Sequence, residues 1–275
     1  MKPKTIIITV ILVAVITLFY WPTFRWLVNS WLSSDYYSHG FLVPLISGFF
    51  IWIKRDQLRE RQPSILGTIA LGLGALFYIL GSFWEIRFLN GISLIIVITA
   101  LSLSFLGIRS TRVLVFPLAF LVFMVPPPFI QDLGYHLQTI AVNSSTWLLE
   151  TLGLPITSNG PEIHLEDASF TVGLACSGTN SLIALLALAA VYVYLLSGPS
   201  YKRSILFVLS LPLAILANTL RIAAIIIIAY YSNTDAAMTF HDWSNPLFFL
   251  IAFGLLILIG RLMKCKLNYG SPKPQ

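Results

Sequence analysis

Long apolar runs separated by short polar segments constrain this chain more than any other feature of its sequence. Residues 65–84 and 205–230 are examples, and the second run is interrupted by a single charged residue. A helix needs about 20 mostly apolar residues to cross the hydrocarbon core of a bilayer. Backbone N–H and C=O groups must be paired internally there, which favours α-helices. The pattern predicts an all-α polytopic membrane protein.

Composition excludes a soluble protein. Hydrophobic residues make up 57% of the 275, charged residues 10%, and the mean hydropathy is +0.85. No small-residue cleavage site follows the first apolar run, so we expect that run to be retained as a helix. We predict one domain over residues 1–275 with about eight transmembrane helices, near residues 5–20, 36–53, 65–84, 88–106, 113–125, 177–196, 205–230 and 246–262.

Three polar segments between these helices have their own character. Residues 129–154 mix polar and apolar side chains, which predicts an amphipathic segment in the membrane interface. Residues 155–174 contain the turn signal Asn159-Gly160-Pro161 between alternating stretches, which predicts a small extracytoplasmic β-hairpin. We expect residues 231–245 to form a polar loop.

The basic residues are distributed unevenly between the two sides. If both chain ends are cytoplasmic, the inner segments hold 14 of the 17 Lys and Arg residues. Cytoplasmic loops carry an excess of these residues, so the asymmetry fixes the orientation. It places Cys176 on the outer side and Cys265 inside, and the two cysteines therefore cannot form an intramolecular disulfide.

A cysteine stands where the sixth helix begins. Cys176 lies in Ala175-Cys176-Ser177-Gly178, directly before a long apolar run. The N-terminus of a helix carries unpaired N–H groups and a partial positive charge, which favour a thiolate over a thiol. The thiol is thus a candidate nucleophile, although a cysteine in a membrane protein is often only a small buried residue.

An arginine interrupts the seventh apolar run. Arg221 at that depth costs a few kcal/mol unless its charge is paired or faces water. Asn218 precedes it by three residues and so shares its helix face. Arg221 is therefore a candidate functional residue, with a structural arginine as the alternative.

Histidine is the candidate proton carrier. His241 precedes the eighth helix, at a depth similar to that of Cys176, although a loop histidine is often only a surface residue. The other histidines predicted on the outer side lack the paired spacing of metal sites, and we predict neither a metal nor a cofactor. They are His39, His136 and His164.

A thiol, a histidine and an arginine supply the parts that acyl transfer requires. Cys176 would attack a carbonyl, His241 would carry the proton, and Arg221 would stabilise the thiolate or the oxyanion. This combination predicts a membrane cysteine peptidase or transpeptidase.

Five stretches resemble the exosortase/archaeosortase family of eight-span membrane proteins, in the family's order. They are residues 37–47, 116–118 with 125–126, 175–178, 216–222 and 240–242. The resemblance implies cleavage of a PEP-CTERM-type C-terminal sorting signal, with Cys176 as nucleophile and Arg221 and His241 as its partners. A histidine as the third residue is similar to the bacterial branch. Asn180 stands where many members carry a basic residue.

The same resemblance implies location and partners. We expect a multi-pass protein of the bacterial inner membrane, whose active site faces the outside. It would act on exported proteins that bear the sorting signal, in work linked to exopolysaccharide and cell-surface biogenesis. Asn180 and Asn218 are the expected substrate-binding residues. Membrane lipids are expected partners, and nucleic acid is not.

Two other classes of protein stay open from the residues alone. A transporter could use Arg221 to bind an anionic solute, and inverted repeats between the two halves, which are not evident, would favour that class. A non-catalytic export assembly factor would keep full function as the Cys176→Ala variant.

Overall fold

The computed structural model describes residues 11, 14–34, 36–58, 64–165 and 169–267. The structure is mostly helical, as the apolar runs predict. The chain divides into two compact units, Met1–Pro127 and Pro128–Gln275. The single exosortase-type domain over residues 1–275 stays a prediction.

The first unit is built from helices of different lengths. Gly107 has a non-helical backbone (φ 79°), so α4 is kinked there. Short 3₁₀ turns lie at Ser38–Phe41, Arg55–Gln57 and Leu121–Met124. The α-helices are α1 (Trp21–Ser33), α2 (Leu42–Ile53), α3 (Ile65–Phe83), α4 (Arg87–Val113) and α5 (Val115–Phe120).

Buried glycines join α3 to α4. Gly67, Gly74 and Gly81 recur every seven residues and are the buried residues of α3. A Cβ atom at Gly67 would lie 2.5 Å from the backbone nitrogen of Ser104, so only glycine allows this approach. Small residues let membrane helices pack backbone against backbone.

Among the described residues, the second unit contains four α-helices, a three-stranded antiparallel sheet and a two-stranded one. The strands are β1 (Thr157–Asn159), β2 (Glu162–His164) and β3 (Ser169–Thr171), in the order β1-β2-β3. They occupy the segment predicted to form a hairpin. The helices are α6 (Ile130–Thr151), α7 (Thr179–Leu195), α8 (Ser200–Tyr231) and α9 (Thr234–Leu262), and β4 (Leu196–Ser197) pairs with β5 (Lys266–Leu267).

The core of the second unit forms where α8 packs against α6 and the small sheet. Val142 and Leu149 of α6 cluster with Ile163 of β2 and Ile226 of α8, and all four are at most 1% exposed. Close packing of these side chains holds α6, α8 and the sheet together. This core fixes the sheet, and therefore the start of the segment that leads to Cys176.

Within the part of the chain that the structure describes, five helices are long and apolar enough to cross a membrane. They are α3, α4, α7 with its preceding turn, α8 and α9, and they mark the chain as a membrane protein. Shorter apolar segments at Ser38–Ile53 and Val115–Met124 match two other predicted spans. Half of the first predicted span lies outside the described residues. The number eight, and the interfacial position of α6, stay predictions.

The segment predicted as a polar loop before the last span is helical instead. Helix α9 begins at Thr234, and the Asn233 side chain caps it by accepting the Ala236 N–H at 2.8 Å. Asp235 in the first turn complements the positive end of the helix. Capping thus extends the last apolar helix through a polar stretch that composition alone marks as loop.

Candidate active site

Cys176 ends a 3₁₀ turn rather than starting the long helix. The turn covers Leu174–Cys176, and α7 begins three residues later at Thr179. Gly178 separates the two with a left-handed backbone (φ 86°), a conformation that side chains disfavour. The prediction that Cys176 occupies the first turn of the helix was therefore wrong by one turn.

Asn218 of α8 holds this turn in place. Its Nδ2 donates to the backbone carbonyl oxygen of Cys176 at 3.1 Å. A Cβ atom at Gly178 would lie 2.7 Å from Cγ of Asn218, so the glycine also makes room for this contact. The asparagine is 5% exposed. Its amide is thus committed to the backbone beside the thiol.

His241 meets the thiol across 65 residues of sequence. Nε2 of His241 lies 3.0 Å from Sγ of Cys176, within hydrogen-bond distance. Nδ1 of the same ring lies 3.2 Å from Oδ1 of Asp242, which can orient the imidazole. The Asp242 side chain is 79% exposed, so solvent screens this second contact.

Arg221 connects α8 to the helix that carries His241. Its Nε donates to Oγ of Ser244 at 3.0 Å, and Nη2 donates to the His241 carbonyl oxygen at 3.3 Å. The Ser244 hydroxyl donates to the same carbonyl at 3.2 Å. Arg221 is only 6% exposed, and it lies within electrostatic range of Cys176. The arginine thus fixes the backbone from which the imidazole projects.

Of the other predicted residues, His39 lies in the first unit, in the turn Ser38–Phe41, and three lie in the second unit. Asn180 occupies the first turn of α7 and is half-buried. His136 is on α6, and His164 on β2 lies 3.7 Å from Glu162. Among the described residues, no group of three or more His, Cys, Asp and Glu side chains is arranged to hold a metal ion.

Ser244 is the residue of this cluster that the sequence analysis did not single out. It is fully buried, and it follows His241 by three residues, so both lie on one face of α9. The three-residue spacing could have indicated that Ser244 lies beside His241, but only if the segment is known to be helical. Sequence reasoning placed the segment in a loop, where the spacing has no meaning.

A comparison with models of protein families covers all the residues of this candidate site. The model of the transmembrane exosortase family matches residues 31–258, most of the chain. The chain belongs to the transmembrane exosortase family. The resemblance noted from the sequence is therefore confirmed, and the matched range includes the positions of Cys176, Asn218, Arg221, His241 and Ser244. Neither the curated proteins nor the solved structures contain a match.

Proposed function

We propose that this exosortase-family protein is a membrane cysteine peptidase or transpeptidase that cleaves a PEP-CTERM-type C-terminal sorting signal from exported proteins. The observation that carries the proposal is the 3.0 Å contact between Cys176 Sγ and His241 Nε2. A thiol beside an imidazole is the arrangement that cysteine nucleophiles use. The proposal extends to a role in exopolysaccharide and cell-surface biogenesis.

The reaction follows from the acid–base capacity of the pair. Nε2 of His241 takes the thiol proton, and the thiolate of Cys176 attacks the scissile carbonyl carbon. The tetrahedral intermediate collapses as His241 returns the proton to the leaving amine, which leaves a thioester on Cys176. Water or another nucleophile then attacks the thioester, with His241 again accepting a proton, and the thiol is regenerated.

Arg221 serves this reaction in two ways under the proposal. Its hydrogen bonds to Ser244 and to the His241 carbonyl support the imidazole from behind. Its positive charge stabilises negative charge on the Cys176 sulfur, because electrostatic stabilisation is strong where water is excluded. Asn218 acts mainly by positioning the Cys176 backbone, and Asn180 is the proposed contact for substrate.

Cys176 and His241 should behave as one unit in processing assays. The assay is an immunoblot of a tagged signal-bearing substrate, with the abundance of each variant checked. Cys176→Ser and His241→Ala should each stop cleavage, and the double variant should be no worse than either. Cys265→Ser is the matched control, since Cys265 lies beyond the far end of α9 and should be dispensable. A well-expressed Cys176→Ser protein that still trims the substrate would exclude thiol catalysis.

We also propose eight spans in a bacterial inner membrane, with Cys176 facing outward. The uneven Lys and Arg distribution supports this orientation. Cys265 is 8% exposed, so a new thiol at an exposed position is the better probe. In a background with both native cysteines replaced (Cys176→Ser and Cys265→Ser), an impermeant thiol reagent on spheroplasts should label Ser158→Cys and spare Lys266→Cys until the membrane is permeabilised. The opposite labelling pattern would overturn the orientation.

A further inference from the structure

A large cavity in the first unit has no part in the chemistry described above. It has a volume of about 1030 Å³ and lies between α1 and the turn that joins α3 to α4. Its lining comes from residues 21–29 and 78–90. The size exceeds what a few ordered waters need and suits the head group of a lipid.

The charged side chains of the lining are of both signs. Arg25 of α1 and Arg87 at the start of α4 line the cavity together with Glu85 of the intervening turn. Two guanidinium groups are suited to a phosphate, which they bind through paired N–H donors. A lone carboxylate beside them would repel a purely anionic ligand, and it is suited to an ammonium group.

The backbone of Glu85 is unusual for its residue type. Its φ angle is 55°, in the left-handed region where glycine is the ordinary choice. A non-glycine residue held there carries a conformational cost of about 1 kcal/mol or more. This conformation closes α3, because the Ile86 N–H donates to the Gly81 carbonyl oxygen at 2.8 Å, as in a helix C-cap. The cap places the Glu85 side chain in the turn that lines the cavity.

Aromatic side chains complete the wall. Trp21, Trp26 and Tyr78 line the cavity, and the Tyr78 hydroxyl donates to the Phe19 carbonyl at 3.1 Å. Tryptophan and tyrosine are enriched where membrane proteins meet the lipid head groups. The cavity therefore has the surroundings of an interfacial site, with an apolar side for the acyl part of a lipid.

We propose that this cavity binds a phospholipid head group that carries both a phosphate and a primary ammonium. Arg25 and Arg87 bind the phosphate, and Glu85 accepts hydrogen bonds from the ammonium group. The aromatic side chains cover the glycerol region. The site requires no part of the Cys176 chemistry, so it stands or fails independently of the proposed peptidase activity.

Native mass spectrometry of the full chain in detergent tests this site. Phosphatidylethanolamine should bind more tightly than phosphatidylglycerol, and inorganic phosphate should bind far more weakly than either. The Arg25→Gln/Arg87→Gln variant should lose about tenfold or more in affinity for both lipids, because two charge-assisted contacts are removed. Arg112→Gln, at the other end of α4, is the matched control and should bind like the parent.

Glu85 allows a test in which the fold is not at risk. Glu85→Gly removes the carboxylate and relieves the left-handed backbone, so it should stabilise the turn. It should abolish the preference for phosphatidylethanolamine over phosphatidylglycerol and keep binding of the latter. A retained preference would overturn the ammonium assignment. Parent-like lipid binding by the double arginine variant, or phosphate binding as tight as lipid binding, would overturn the site itself.

Discussion

The α3–α4 pair and the α8–α9 pair join membrane helices by different physical means. Gly67, Gly74 and Gly81 let α3 approach the α4 backbone directly. Between α8 and α9, apolar side chains pack together, and polar contacts are added from Arg221 to Ser244 and to the His241 carbonyl. The first joint depends mainly on shape, and the second adds hydrogen bonds from a buried charge that must be complete.

The difference shows where a membrane protein accepts buried charge. Packing of small residues joins helices at little electrostatic cost. A buried guanidinium group costs free energy unless hydrogen-bond acceptors satisfy its N–H donors. We therefore expect such a group where the orientation of a neighbouring side chain has to be fixed. At α8–α9 it gives His241 a fixed position relative to Cys176. Shape alone would hold the helices together without specifying the orientation of one imidazole.

Of three variants that test this comparison, Arg221→Lys should show the largest effect, and the property affected is processing activity. Lysine keeps the charge but cannot donate from a planar fork to both Ser244 and the His241 carbonyl. We expect substrate processing to fall about hundredfold, which corresponds to about 2.7 kcal/mol. The measurement is the rate of substrate trimming at matched protein abundance. Arg261→Lys, exposed at the end of α9, is the control, and near-normal processing by Arg221→Lys would show that charge alone suffices.

Gly67→Ala should instead disrupt the close packing of α3 against α4. The new Cβ would lie 2.5 Å from the Ser104 backbone nitrogen, so the helices must separate. We expect a loss of about 1–3 kcal/mol in the free energy of unfolding, measured by denaturation in mixed micelles. Gly72 of the same helix has no atom within 4 Å of its would-be Cβ. Gly72→Ala should therefore be neutral or stabilising, and equal losses from both would refute close packing as the cause.

Ser244→Ala should give the smallest of the three effects. It removes the acceptor of Arg221 Nε and leaves the Nη2 contact with the His241 carbonyl in place. We expect about a tenfold loss of processing, which corresponds to about 1.4 kcal/mol. This is less than the full value of a hydrogen bond to a charged group, because Arg221 keeps its second contact. Ser210→Ala is the control, because that buried hydroxyl donates only to Phe207 of its own helix. Equal effects from both serines would argue against a specific role for Ser244.

The class of protein could be predicted from the sequence because it depends on local composition. Sustained apolar runs fix helices and membrane residence, whatever the helices contact. Polar residues within such runs are costly, so Arg221 and Asn218 stand out in the sequence, and Cys176 stands out at the boundary of its run. The beginning of α9 was missed because a single capping side chain, that of Asn233, outweighed a polar composition.

The sequence by itself therefore determined the helical membrane class, the family resemblance and the identity of the candidate residues. Only the tertiary structure decided which of these residues meet. The contacts of Cys176 with His241 and with Asn218 span 65 and 42 residues. They depend on how α7, α8 and α9 are rotated and shifted against one another. Rotation and shift are set by the summed packing of whole helix faces, which no local pattern of residues specifies.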